Sequence, residues 1–364
     1  MRILFASLNP LGSQGTNAHY SFPQEFSRTD EVLAACPPPP GNARIVRNAF
    51  DFAVASISPS GFRVALDVLA VARRFRPQAV HIFHSPHTTG MLALLRTLTP
   101  RPVFGVDLRS PLLKQGFAGF RRRVMDHLTP RLCQVLFAPH LDVPGTYFST
   151  GRTPVVEAPI GVDTGAFVPR GEVAAKPRRF VFTGSIHPKR RLDVLVRGFA
   201  LALARDPGLT LDIVGKGPDL EPLRSLARQS GAAHAIAFPG LMAQDALFAA
   251  LPGFDAGIGY VPGGVYENAP SLKVLEYAAA GIPVLASDTA GHRSFLEHGM
   301  DMEFFANTPE DIARALTADF GRERLAAMVA ASLEGVRYYD WGHIVSAMVR
   351  PAYLRLLDGN GGPA

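Results

Sequence analysis

The chain has 364 residues, 47% hydrophobic and 19% charged. That length suits two domains of ordinary size, and no apolar run approaches the roughly 20 residues of a membrane span. A net charge of +6 suits a phosphorylated small molecule or an anionic membrane surface, or simply reflects an Arg-rich composition. No basic run is interleaved with aromatics and no zinc or helix-turn-helix spacing occurs, which argues against a nucleic-acid partner.

Residues 3–6 read as a first buried strand and not as the long apolar stretch of a signal peptide. The two cysteines, Cys36 and Cys133, are too few for a disulfide framework and suit a reducing compartment. The expectation is a cytoplasmic protein. Further strand-like runs follow at 79–83, 103–106, 135–138 and 155–158, with helical stretches at 62–75 and 89–98 between some of them. The segment CPPPP at 36–40 reads as a rigid loop. After it, strands are expected at 180–183, 211–214, 235–238, 256–258 and 284–286, with helical patterns after nearly every one. Short continuous apolar strands alternating with helices predict parallel sheets covered on both faces. The fold class is therefore α/β, with two doubly wound, Rossmann-like domains.

A polar, Pro-containing stretch at 164–178 separates the two series. The domains are expected at 1–163 and 164–340. Residues 341–364 hold a terminal amphipathic helix with Trp341, Ile344, Met348, Tyr353 and Leu356 on its apolar side, packing back on the first domain.

Ligands of open α/β sheets bind beyond the carboxyl ends of strands, where helix N-termini present N–H groups. Four loops qualify. TGSIHPKRRLDVL at 183–195 places Lys189 and Arg190 at a helix start after Gly184, a setting for a pyrophosphate; the plain alternative is a solvated basic turn. VGKGP at 214–218 puts Gly215 after a buried strand, where a glycine permits close backbone approach or merely a tight turn. ENAPSLKVLEYAAAGIPV at 267–284 starts a helix at Pro270 and Ser271, just before Leu272, and stops it at Gly281. Its Lys273 and Glu276 share a face, either as an ordinary surface ion pair or with Glu276 accepting from a ribose diol. NPLGSQGT at 9–16 carries Gly12 directly after the first strand, and by the same rule His84 and Asp107–Arg109 lie nearby. The triplet His81, His84 and His87 lacks a clustered acid and enters a loop, so no metal site is expected.

These pieces resemble the retaining glycosyltransferases of the GT-B fold, in particular their family 4-like branch. The resemblance rests on PIGVD, FVFTGSIHPKRRLDVL, LDIVGKGP, FPG, FDAGIGY and PSLKVLEYAAAGIPV in that order, between residues 159 and 284. It implies two domains facing a cleft, with a nucleoside-diphosphate sugar as co-substrate and no further cofactor. Glu276 matches the family's ribose-binding acid. Arg190, with Lys189 as its competitor, falls where the family has a lysine on the pyrophosphate. Gly12 falls in the glycine loop that approaches the phosphates, and His84 matches a first-domain histidine near the transferred sugar. Ser185 stands where an arginine often follows the glycine, and Asn268 stands where a sugar-contacting acid often precedes the helix. A branch beginning its helix in the style of Pro270–Lys273 manages without that acid.

The resemblance implies transfer of a hexose-type sugar, with retention, to a glycan, a lipid-linked or a small-molecule acceptor. No Asp-x-Asp motif stands at a strand end and the basic residues can neutralise the diphosphate, so the transfer is expected to need no metal. The alternatives are a non-catalytic sugar-nucleotide-binding subunit and a sugar-nucleotide epimerase. At 117–128, FAGFRRRVMDHL sets three arginines beside apolar residues, which reads as peripheral contact with the anionic inner face of a membrane or as an ordinary surface helix.

Overall fold

A computed structural model describes residues 1–11, 18–38, 51–59, 63–99, 102–109 and 126–359. The chain divides into two compact units, one of Met1–Gly161 with Trp341–Ala364 and one of Val162–Asp340.

The first unit is built on seven parallel strands: β1 (Arg2–Ala6), β2 (Glu31–Cys36), β3 (Ala53–Ser56), β4 (Ala79–Phe83), β5 (Val103–Asp107), β6 (Val135–Ala138) and β7 (Val155–Glu157). Their order is β3-β2-β1-β4-β5-β6-β7. Helices α1 (Ala18–Ser27), α2 (Arg63–Phe75) and α3 (Thr88–Leu98) pack on it. Every residue of β4, β5 and β6 is buried, which is why these strands carry unbroken apolar runs. Helix α2 buries Val64, Ala65, Val68, Leu69 and Ala72, a stripe at helical spacing. Strands β2 and β3 were not expected. The sequence EVLAAC of β2 has one β-branched residue, and β3 is an edge strand left mostly exposed, so neither carries a strong local signal. Cys36 closes β2 and is not part of the proline loop.

The second unit has six parallel strands: β8 (Arg179–Thr183), β9 (Thr210–Val214), β10 (Ile236–Gly240), β11 (Ala256–Gly259), β12 (Val284–Ser287) and β13 (Glu303–Phe305), in the order β10-β9-β8-β11-β12-β13. Helices α4 (Leu192–Arg205), α5 (Leu220–Gln229), α6 (Leu272–Ala279), α7 (Pro309–Thr317) and α8 (Arg322–Gly335) accompany them. In each sheet the strand order reverses once, between β1 and β4 and between β8 and β11. These are the switch points at which loops diverge and leave room for a ligand. The polar stretch after Val162 is held to this unit: Phe167 packs on Phe248 with ring centroids 4.1 Å apart, and Arg170 pairs with Asp255 at 3.0 Å.

The chain's last elements are Trp341–His343, a wider turn at Ile344–Val349 and α9 (Arg350–Gly359). Trp341, Ile344, Val349 and Tyr353 enter the core of the first unit. Gly161 makes this fit, because a Cβ there would come within 2.6 Å of the Trp341 ring.

Candidate functional site

In the second unit β8 ends at Thr183, and Gly184 begins the loop to α4. The β8 and β9 loops run side by side beyond the sheet: Gly184 N–H donates to Val214 O at 3.0 Å and Ile186 N–H to Lys216 O at 3.0 Å. Gly215 and Gly217 have φ of +155° and +159°, and any Cβ on them would collide with the carbonyls of Gly184 and Ile186. The glycines of VGKGP thus serve first to let two loops of the protein itself close on each other. That contact fixes where Gly184 sits.

Pro188–Arg190 form a single tight helical turn. Arg191 then takes a left-handed φ of +50°, bonds its guanidinium to Asp193 at 3.1 Å and accepts the Tyr260 hydroxyl on its carbonyl at 3.0 Å. Arg191 is therefore occupied. Arg190 is half-buried, and its guanidinium lies 4.3 Å over the Tyr266 ring, a stacking that leaves its N–H edges available. Lys189 is exposed and lines a cleft of about 370 Å³ with Arg191, Tyr260, Gly263, Tyr266 and Asn307. The strand-end rule applied to β11 points at Tyr260. Tyr266 and Asn307 had no such signal, because they are brought in by a loop and by the chain after β13.

Helix α6 supplies the other wall. Lys273 Cε would lie 3.7 Å from a Cβ on Gly184, so the two expected residues adjoin. Lys273 Nζ is 3.4 Å from Tyr260 O and 5.0 Å from the Phe182 ring centre. Burial pushes the Lys273 ammonium down to about 7, aided by the Arg190 guanidinium and opposed by Glu276. Burial pushes the Glu276 carboxyl up to about 7, opposed by Lys273. Among the described residues the Glu276 carboxyl has no hydrogen-bond or ion-pair partner, so the surface Lys–Glu pair considered from spacing does not form. Beneath them Tyr277 is fully buried and its hydroxyl accepts Thr183 N–H at 2.8 Å, which ties α6 to the end of β8.

Ser271 is the N-cap of α6, and its Oγ lies 2.7 Å from His292 Nε2. Leu272 and Asn268 are exposed. The neighbouring Glu267 carboxylate accepts Ala290 N–H at 3.2 Å, so the acid one position from Asn268 holds the next turn of chain.

In the first unit His84 follows β4. Its side chain is 3% exposed, with Nε2 3.4 Å from Asp126 Oδ2 and its ring edge-on to Tyr147 at 4.8 Å. His81 belongs to a different network. Its Nε2 faces Asp107 Oδ2 at 3.2 Å and its Nδ1 faces the Tyr353 hydroxyl at 2.9 Å. Arg109 completes this set, 2.6 Å from Asp107 Oδ2 and 2.9 Å from Ala158 O. His81 and His84 thus turn to separate partners. His19 on α1, which the sequence did not single out, sits at the end of β1: Nδ1 is 2.9 Å from Ser7 Oγ and Nε2 is 3.1 Å from Asn9 Nδ2, and burial lowers it to about 4. Gly12 and residues 117–125 of the basic segment lie outside the described residues.

Residues 177–318 match the model of the family described as glycosyl transferases group 1. Among curated proteins, the chain is 31% identical over 200 residues to a GDP-mannose-dependent alpha-(1-6)-phosphatidylinositol monomannoside mannosyltransferase of Mycobacterium tuberculosis, covering 49% of this chain and 50% of that protein. It is 27% identical over 244 residues to a D-inositol 3-phosphate glycosyltransferase of Rhodococcus erythropolis, covering 62% and 50%. The chain thus spans about half the length of the curated relatives it matches. Among solved structures, Anabaena HepE in complex with UDP and glucose superposes with a TM-score of 0.73 at 15% identity, covering 98% of this chain and 99% of that one. A glycosyltransferase from Rickettsia africae gives 0.76 at 14% identity, covering 98% of each. A shared fold over nearly the whole chain, and a family match centred on the unit that carries Gly184, Arg190 and Glu276, lead to one conclusion: this is a two-domain α/β chain of the GT-B fold whose residues 177–318 match the glycosyl transferases group 1 family.

Proposed function

We propose that the chain transfers a hexose from a nucleoside-diphosphate sugar to an acceptor, with retention at the anomeric carbon. The observation that carries this reading is the set Arg190, Lys273 and Glu276 beyond β8. There a carboxyl and an ammonium one helical turn apart are both pushed to about 7, and neither pairs with the other. Such groups are poised for outside partners: a diol for the carboxylate and phosphate oxygens for the cations. In the reaction the bond from the anomeric carbon to the β-phosphate oxygen breaks, and a bond to the acceptor oxygen forms on the same face. The acceptor proton passes to the departing phosphate. Charge grows on that phosphate, so Arg190, Lys189 and the N–H groups of Leu272 and Lys273 stabilise the transition state more than the bound donor. Gly184 and Gly215 shape the loop beneath the diphosphate, and Ser271 and Asn268 flank the sugar side.

GDP-mannose stands ahead of UDP-glucose as donor, because the 31%-identical relative is named as GDP-mannose-dependent, whereas the UDP-bound structure at 15% identity shares the fold alone. The acceptor is an inositol-bearing molecule, lipid-linked or small, as the names of the relatives suggest. The test is nucleoside diphosphate release with GDP-mannose, UDP-glucose or a dTDP-sugar, with and without a phosphatidylinositol acceptor. Acceptor-dependent release of GDP or UDP is expected, undiminished by EDTA because cations of the chain neutralise the diphosphate. A donor changed without acceptor makes the chain an epimerase. Binding without turnover makes it a binding subunit.

A further inference from the structure

Ser271 occupies the N-cap of α6 with φ −109° and ψ 129°, yet its side chain caps nothing in its own helix. A serine here ordinarily accepts the second or third helical N–H, which would be that of Lys273 or Val274. Instead Ser271 Oγ lies 2.7 Å from Nε2 of His292, and the other ring nitrogen lies 2.8 Å from the carbonyl of Ser287. A carbonyl only accepts, so Nδ1 carries a proton, and in the neutral ring Nε2 is the acceptor. The Ser271 hydroxyl therefore donates to His292. The imidazole is fully buried, and burial holds it down at about 4, which keeps it neutral.

The ring is fixed from several sides. Ser287 ends β12, and its own hydroxyl donates to Asn307 Oδ1 at 2.7 Å while accepting Val261 N–H at 3.1 Å. Thr289 Oγ1 accepts the His292 backbone N–H at 3.3 Å. What lies at the other end of this relay is cationic: Lys273, with one long contact to Tyr260 O at 3.4 Å, and the Arg190 guanidinium beyond it. Two cations beside uncapped backbone N–H groups suit an anion and not a water molecule.

Resting on the donor reading above, we propose that His292 is a positioning residue for the diphosphate: it draws the Ser271 hydroxyl away from α6 and so keeps the Lys273 backbone N–H open to a phosphate oxygen. Without that acceptor, Ser271 turns to cap its own helix and occupies the N–H that the phosphate needs.

The experiment is calorimetric titration of GDP and UDP, and of guanosine and uridine, into the full chain. It compares the unaltered protein with His292→Phe and with Ser271→Ala/His292→Phe. His292→Phe is expected to weaken the better diphosphate about tenfold, the worth of one charge-assisted hydrogen bond, while leaving the matching nucleoside unchanged. The double variant is expected to bind the diphosphate more tightly than His292→Phe, since no hydroxyl remains to cap the helix. A double variant no tighter than the single one overturns the proposal, as does equal loss for nucleoside and diphosphate. Should His292→Phe fail to fold, imidazole ¹⁵N spectra of the unaltered chain decide: the Nδ1–H tautomer is expected, and Nε2–H or a charged ring at neutral pH overturns it. If the unaltered chain binds neither GDP nor UDP, the donor reading itself falls and takes this inference with it.

Discussion

Lys189, Arg190 and Arg191 are three consecutive cations, and their surroundings separate them. Arg191 is held by Asp193, Lys189 stands in solvent, and Arg190 lies over Tyr266 next to Lys273. In the transfer proposed above, the charge facing Arg190 grows as the leaving group departs, so its removal should act on turnover more than on donor binding. We expect Arg190→Ala to lower kcat about a hundredfold, on the scale of one lost preorganised donor, with a much smaller change in donor KM. Arg190→Lys recovers part of it, since a point charge suffices for phosphate but lacks the fork. Near-normal kcat in Arg190→Ala with a large loss in Lys189→Ala would move the role one residue earlier. Glu276 makes a second residue-scale prediction. Glu276→Ala should weaken nucleotide binding at least about tenfold through lost charge-assisted hydrogen bonds. Its carboxyl is raised to about 7 in the folded chain, above the usual carboxylate range. The favourable protonated form is fully present below about pH 4.5 and is lost as pH rises through 7. Glu276→Gln should therefore gain melting temperature relative to the unaltered chain as pH rises from 5 to 8. A difference independent of pH would show that the carboxyl is not strained by burial.

Among the elements, β4 and β6 appear in the sequence with the bounds they have in the structure, because strands buried on both faces need continuous apolar residues. Strand β13 escapes, since Glu303 and Phe304 are only half-buried at a sheet edge and the run lasts three residues. The loop after β9 was legible as glycine-rich but not in its purpose. Gly215→Ala should destabilise the second unit by over about 2 kcal/mol, because a Cβ must displace the Gly184 backbone, and nucleotide affinity should fall with it. Thermal unfolding with and without GDP or UDP checks both; an unchanged midpoint would mean the two loops do not close as described. In the first unit, α9 is pinned through Tyr353. His81 Nε2–H donates to Asp107, so Nδ1 accepts the Tyr353 hydroxyl. Tyr353→Phe leaves that nitrogen buried without a partner, at a cost of about 1–3 kcal/mol. Circular dichroism melting tests this, and no loss of stability would place the hydrogen bond outside the balance.

At the scale of the whole molecule, the chain repeats one plan twice. Each parallel sheet starts at its centre, grows to one edge, then crosses back at a switch point. The chain carries a net charge of +6, and no described helix is long and apolar enough to cross a membrane. If the acceptor is a lipid, the basic segment at 117–128 should hold the chain loosely on anionic vesicles. Flotation with phosphatidylinositol liposomes should recover it at low salt and lose it at high salt. Failure to float at low salt counts against a membrane-held acceptor.

The sequence by itself determined the two α/β series, the strand ends that bear loops, and the positions of Gly184, Arg190 and Glu276. Those signals are local: periodicity, a glycine after a strand, an acid on an apolar helix. Only the tertiary structure decided which polar groups are already taken. Tyr353 reaches His81 across 272 residues, Ser271 reaches His292 across 21, and Glu267 reaches Ala290 across 23. Asn268 and Lys189 stay exposed while Lys273 and Glu276 are drawn partly under cover. A hydrogen-bond partner or a neighbouring charge is a matter of distance in space, and the one-dimensional spacing of residues carries no record of it beyond the turn or strand in which they lie.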